Sequence, residues 1–264
     1  MRDLTVIISL YKTPENQLQN LSSYKNLKTL VLDQCPEKDI KARLSNIIGK
    51  NLKYYKINKN LGLSKSANFL LSKVKTKYFL FTQADIKIER KSIKLLKNFL
   101  KKKKDFIFVG PKILEKNKKK KNYFKVVKKL NAALLLIDTK KIKKIGFFDN
   151  DFFLYWEDIY LMNKIQKSKY KMAYIDNIYA FHKGENSSIK NYKIDFIRWS
   201  NYRFGEYLYD YKSNKFKWIK IIRRFYLNML CILINLIIFR YNKLNKNLAD
   251  LTGIFKFIKF YLTH

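Results

Sequence analysis

The sequence predicts an α/β protein: a mostly parallel sheet with helices on both faces, followed by C-terminal helices of amphipathic and apolar character. Short apolar runs recur along the N-terminal part at strand length, too short for helices. Stretches with helical spacing separate them, the alternation that builds parallel sheets. The 264 residues are 47% hydrophobic and 16% aromatic, enough for one sizeable core with or without an appendage.

Val6–Leu10 reads as the first buried strand, and Leu27–Leu32, Tyr54–Ile57 and Tyr78–Phe81 repeat its pattern. Between them, Asp39–Ile48 and Ser64–Val74 read as helices, the second with Ala67, Leu70, Leu71 and Val74 on one face. Right-handed crossovers put the loops after the strands on one edge, where open sheets bind ligands. Lys97–Lys129 is Lys-dense; Lys101–Lys104 reads as the exposed end of a helix and Lys118–Lys121 as a loop, both solvated surface. Asn131–Ile137 resumes as a strand, which Gly146-Phe147-Phe148-Asp149 breaks. Glu157–Gln166 has helical spacing at Ile159, Met162 and Ile165, and Met172–Phe181 reads as a strand ending at His182-Lys183-Gly184.

Composition shifts after Asn214, which suggests a domain over 1–213 and a helical tail over 214–264. In the tail, Phe225–Phe239 is nearly all apolar, interrupted by Asn228 and Asn235 and flanked by Lys220, Arg223, Arg224 and Arg240. As a helix it reaches about 22 Å, short of the roughly 30 Å hydrocarbon core, so it suits the membrane interface or a buried core rather than a span. Leu251–Leu262 sets Phe255, Phe257, Phe260 and Tyr261 around Lys256 and Lys259, which favours the interface.

Lys and Arg number 57 against 20 acids, a net charge of +37, and only 8 of the cations are Arg. Scattered Lys solvates a surface, whereas phosphate and base recognition favours the Arg fork. With abundant Ile, Asn, Phe and Tyr, the charge fits compositional drift first and an anionic membrane surface second. A non-catalytic Lys-rich polyanion-binding protein is the rival reading; few Arg and no recognisable nucleic-acid motif stand against it. Cys35 and Cys231 lie far apart, which excludes a zinc cluster or a disulfide framework. Arg2 and Asp3 lead straight into an apolar strand without signal-peptide features, so the expected location is cytoplasmic.

Four local patterns could carry chemistry. Asp33 follows Leu30-Val31-Leu32, where a carboxylate can meet a ribose or base, or simply form a turn before Pro36. Asn60-Leu61-Gly62-Leu63-Ser64 leads into a helix whose free backbone donors suit a phosphate, with Ser64 as an ordinary N-cap. Gln83 and Asp85 follow an apolar strand; at i and i+2 of an extended segment they point the same way and could hold a divalent ion on two phosphates. Finally, an aromatic stretch, Phe152-Phe153-Leu154-Tyr155-Trp156, precedes Glu157-Asp158 at a helix start, where burial can ready a carboxylate as a general base.

In this order and spacing the patterns resemble the family 2 glycosyltransferases of the GT-A fold, a Rossmann-like architecture. The closest likeness is to the rhamnosyltransferase-like branch of bacterial surface-polysaccharide synthesis, over residues 4 to 210. The resemblance implies nucleotide-sugar binding by Asp33, Asn60, Gly62, Asn68 and Gln83, and a magnesium or manganese ion at Asp85 and His182. It implies catalysis by Asp158 or its neighbour Glu157. Gln83 replaces the first Asp of the family's Asp-x-Asp, which implies modest metal affinity. Tyr160 and Lys164 replace a later Asp and Arg, which bears on donor or acceptor preference. The Gln-x-x-Arg-Trp motif of processive synthases is missing, which implies addition of a single sugar. The implied partners are a nucleotide-diphosphate sugar, a glycan or lipid-linked acceptor, and an anionic membrane surface.

Overall fold

In the computed structural model, which describes residues 1–114, 124–182 and 191–264, the chain divides into two units. One comprises residues 1–149 with 158–189, the other 150–157 with 190–264. The second unit thus begins upstream of the composition shift after Asn214. The Lys118–Lys121 run and Gly184 lie outside the described residues.

The first unit opens with β1 (Leu4–Tyr11), α1 (Glu15–Leu18) and a 3-10 turn (Gln19–Tyr24). There follow β2 (Lys28–Gln34), α2 (Lys41–Ile48), β3 (Leu52–Ile57), α3 (Gly62–Ser72) and β4 (Tyr78–Thr82). β1 is buried on both faces because its alternating side chains enter two cores. Val6, Ile8 and Leu10 pack with Leu18, Leu21, Tyr24 and Leu44, while Ile7 joins Ala67 and Leu70 of α3 on the other side. That double burial is why the strand reads as a continuous apolar run.

The unit continues with β5 (Ile86–Ile88), α4 (Arg90–Lys102), β6 (Phe106–Leu114), β7 (Phe124–Val126), β8 (Leu134–Asp138), α5 (Thr139–Ile145), α6 (Glu157–Gln166) and β9 (Lys171–His182). Among the described residues the strands form one sheet in the order β3-β2-β1-β4-β8-β6-β9-β5, with β7 on β9. The pairing is parallel from β3 to β4, and β8 then runs antiparallel to both β4 and β6.

Two local expectations change. Gly146, with φ of 84°, ends α5 rather than the strand; β8 has already stopped at Asp138, whose side chain caps α5 by accepting the Lys141 amide at 3.0 Å. Ser64 is not an N-cap but the third residue of α3, and it is fully buried.

The second unit carries α7 (Tyr192–Lys212), α8 (Trp218–Ile237) and α9 (Tyr241–Thr263). Both tail helices are longer than their apolar runs suggest: the first turns of α8 accept Lys220, Arg223 and Arg224, and α9 begins at Tyr241 through a polar stretch ahead of Leu251. Among the described residues no helix is long and apolar enough to cross a membrane. α7 and α9 meet at Gly253, where a Cβ would stand 2.4 Å from the Ser200 carbonyl oxygen and 2.7 Å from Arg203 Cβ. Beside it, Arg203 Nη2 and Asp250 Oδ2 form a buried ion pair at 2.9 Å. Gly253→Ala is therefore expected to force the helices apart and cost about 1–3 kcal/mol, read as a lowered urea midpoint.

Candidate active site

β1 has parallel partners on both edges, and the chain reverses its direction of travel across the sheet there, from β2 and β3 to β4. Loops leaving such a switch point diverge and open a crevice at the C-terminal strand ends. Asp33 stands at this edge, but within β2, paired with Leu10 and Lys56, rather than in a turn beyond the strand. It is 4% exposed and accepts a 2.7 Å hydrogen bond from the Tyr54 hydroxyl. Burial raises its pKa above the usual 3.8, opposed by Tyr54 and Lys56.

Next to it lies a residue the sequence reading passed over. Gln34 is buried at the end of β2; its Nε2 donates to Ser9 Oγ at 2.8 Å and its Oε1 accepts the Leu61 amide at 2.7 Å. Ser9 in turn donates to Ser66 Oγ at 2.9 Å, so one polar chain ties β1, β2 and α3 together. Asn60 Oδ1 accepts the Gly62 amide at 3.0 Å, and Gly62 enters the helix at φ of 74°, a conformation suited to glycine. The amides of Leu61 and Gly62 are thus engaged by Gln34 and Asn60, rather than both free for a phosphate. Asn68, further along α3, donates to the Phe148 carbonyl at 2.7 Å and fixes the Phe147-Phe148 corner against the helix. The only signal for Gln34 was its place beside Asp33 at a strand end.

Gln83–Asp85 forms a turn between β4 and β5, not an extended segment, so the same-side argument for the two side chains does not hold. The turn is held by the Gln83 amide on the Ala133 carbonyl at 3.2 Å and by Asn20 Nδ2 on the Ala84 carbonyl at 3.1 Å. Asp85 is 4% exposed. Ile86 pairs with His182 across β5 and β9, which sets the His182 backbone one residue from Asp85 in register. Among the described residues no three His, Cys, Asp or Glu side chains gather as a metal site. The buried carboxylate of Asp85 is an oxygen donor, which fits magnesium or manganese when phosphate oxygens complete the shell.

Antiparallel pairing with β4 carries the start of β8 to the same edge, since Leu134 stands opposite Thr82. There the Leu130 amide meets Met162 Sδ of α6 at 3.2 Å, which packs the middle of that helix against the segment leading into β8. Asp158 Oδ1 accepts the Ile159 amide at 2.8 Å. Burial nevertheless raises the Asp158 pKa above the usual 3.8, and Lys129 only partly opposes it. Glu157 is 4% exposed.

The segment just before these acids is strained. Tyr155 and Trp156 both hold positive φ, 70° and 71°, which costs bulky L-residues about 1–2 kcal/mol each. Within the second unit α7 secures the pair: the Trp156 ring lies 5.3 Å from Tyr209 and 5.6 Å from Tyr202, and Tyr155 lies 5.7 Å from Tyr202. Gly205 leaves the room, since a Cβ there would come within 3.0 Å of the Tyr155 carbonyl oxygen and of Trp156 Cδ1. Tyr202, Gly205 and Tyr209 share one helical face, a spacing visible in the sequence but without meaning until the strained turn is seen.

Gln34→Ala should cost about 1–3 kcal/mol by removing the acceptor of the Leu61 amide. In hydrogen exchange the amides of Leu61 and Gly62 should lose protection while those of β1 keep it.

No curated protein matches the sequence. Among solved structures the chain is similar to GalNAc-T7 with UDP, GalNAc and Mn2+, at TM-score 0.60 and 12% identity over 78% of this chain and 47% of that one. It is similar to the mannosyltransferase PcManGT from Pyrobaculum calidifontis with GDP-Man and Mn2+, at TM-score 0.58 and 13% identity over 81% and 65%. It is also similar to S. aureus TarS 1-349 with UDP, at TM-score 0.51 and 15% identity over 77% and 65%. The chain therefore spans between about half and two thirds of the length of these structures. Their likeness establishes the GT-A-type α/β fold, and the model of glycosyl transferase family 2 matches residues 6–160. The chain belongs to glycosyl transferase family 2.

Proposed function

We propose that the protein transfers a single sugar from a nucleotide-diphosphate sugar to a glycan or lipid-linked acceptor, inverting the anomeric centre, in cell-surface polysaccharide synthesis. The observation that carries this reading is the convergence at one sheet edge of Asp33, the Asn60–Gly62 turn and the Gln83–Asp85 turn, with α6 packed against the segment that leads into β8 there. That UDP, GDP-Man and Mn2+ accompany structures of the same fold supports it. The rhamnosyltransferase-like branch remains part of the proposal, on the motifs around Gly146–Asp149 and Tyr155–Asp158. A location on the inner face of the cell membrane follows from a lipid-linked acceptor and the cationic chain.

In this reading Asp33 accepts hydrogen bonds from the nucleoside, its carboxylate already oriented by Tyr54. Asn60, Gly62 and Asn68 hold the α3 end of the crevice in shape. Asp85, with Gln83 and His182, would hold a divalent ion, which when bound offsets charge developing on the leaving diphosphate. Asp158 accepts the acceptor hydroxyl proton while the acceptor oxygen bonds to the anomeric carbon. The anomeric carbon–oxygen bond breaks on the opposite side, and its electron pair leaves with the nucleoside diphosphate. Glu157, one residue away, points elsewhere in the helix and shapes the acceptor side.

Two experiments test this. With a donor identified by thermal-shift screening of nucleotide sugars, Asp158→Asn should lower turnover by about 10²- to 10⁴-fold with donor affinity unchanged. Only ionised Asp158 takes a proton, so activity should fall with acid through a pKa above that of an ordinary aspartate, the direction set by burial. Turnover near wild type in both Asp158→Asn and Glu157→Gln refutes the mechanism. Separately, Asp85→Ala should abolish the manganese-dependent part of nucleoside-diphosphate affinity and keep the fold. Equal wild-type affinity in chelator and in manganese refutes the metal site.

A further inference from the structure

Within the second unit, α8 turns its asparagines inward and much of its apolar surface outward. From Phe225 to Phe239 the strongly polar side chains of α8 are Asn228 and Asn235, and both are buried. Asn247 of α9 bridges them: its Nδ2 donates to Asn228 Oδ1 at 3.1 Å, and its Oδ1 accepts Asn235 Nδ2 at 3.2 Å. The opposite face of α8 carries Tyr226, Leu230, Leu233 and Ile237, all exposed and spaced as one helical stripe, with Ile237 reaching 74% exposure. Water favours the reverse arrangement, and a contiguous apolar face of this length marks a contact surface. Amide pairs between helices, by contrast, suit surroundings that offer no competing hydrogen bonds.

We propose that α8 lies in the plane of an anionic lipid bilayer with this outer stripe seated among the upper acyl chains. Charge chooses lipid over a second copy of the chain. A net charge of +37 repels another copy, whereas exposed Lys217, Arg223, Arg240 and Lys243 flank the stripe at its two ends, where lipid phosphates would lie. Exposed Trp218, Tyr226 and Tyr241 sit among them, the residue types that settle at headgroup level. The lysines of α9 and the buried Asp250–Arg203 pair keep that helix out of the hydrocarbon. The proposal deepens the membrane location above and rests on it, but not on the transfer chemistry.

The test is flotation of the full chain with phosphatidylcholine vesicles, with and without phosphatidylglycerol, at low and high salt. Wild type should float with the anionic vesicles, and binding should weaken but persist at high salt because the stripe is apolar. Leu230→Glu with Leu233→Glu and Ile237→Glu should lose roughly tenfold or more in partitioning, with an unchanged thermal midpoint. Arg223→Gln with Arg240→Gln should lose about fivefold per cation on anionic vesicles and almost nothing on neutral ones. As an independent readout that leaves the face apolar, Tyr226→Trp should be quenched by brominated lipid. Wild type that ignores anionic vesicles overturns the proposal. So does a dimer in sedimentation that the triple Glu variant separates without vesicle binding by the wild type, or a triple variant that floats as well as the wild type.

Discussion

Strand β1 has hydrogen-bonding partners on both edges and buried side chains on both faces, and this enclosure conditions the rest of the first unit. A strand enclosed in that way must be apolar on both sides, so helices have to cover both. The 3-10 turn, α2 and α4 supply one cover; α3, α5 and α6 supply the other. Because β2 and β4 both run parallel to β1, the chain must leave it in opposite directions. The crevice is a consequence of that reversal rather than an added feature.

The polar groups in the crevice are first partners of one another. Gln34, Ser9 and Ser66 link two strands to α3, and Tyr54 holds Asp33. Burial raises the proton affinity of Asp33 and of Asp158, against the hydrogen bonds from Tyr54 and from the Ile159 amide, so the two share a direction of shift. The network also spends donors: the amides of Leu61 and Gly62 at the start of α3 are engaged within the protein.

The second unit works by different rules. Its helices carry an ion pair and an asparagine bridge in their interior, and Gly253 lets two backbones approach closely. α7 over-determines the strained Tyr155-Trp156 turn with two tyrosine rings and a glycine.

Much of this was legible in the chain. Runs such as Val6–Leu10 and Tyr78–Phe81 declare buried strands because double burial leaves no room for polar alternation, and Ala67, Leu70 and Leu71 declare the face of α3. The order of Asp33, Gly62, Asp85 and Asp158 along the sequence was enough to suggest the family. Other elements were hidden. β6 lies within a Lys-dense stretch whose composition masks Ile107, Phe108 and Val109, and β5 is too short to show a period. α5 is capped by Asp138, a residue that reads equally well as the end of a strand. Sequence alone determined which residues must be buried and which local turns could bear chemistry, because burial and turn geometry are properties of a few neighbouring residues. Only the tertiary structure decided that Gln34 reaches Leu61, that His182 stands opposite Ile86, and that the asparagines of α8 face inward while its leucines face out. Those facts depend on register and helix rotation, which are set by packing between segments far apart in the chain.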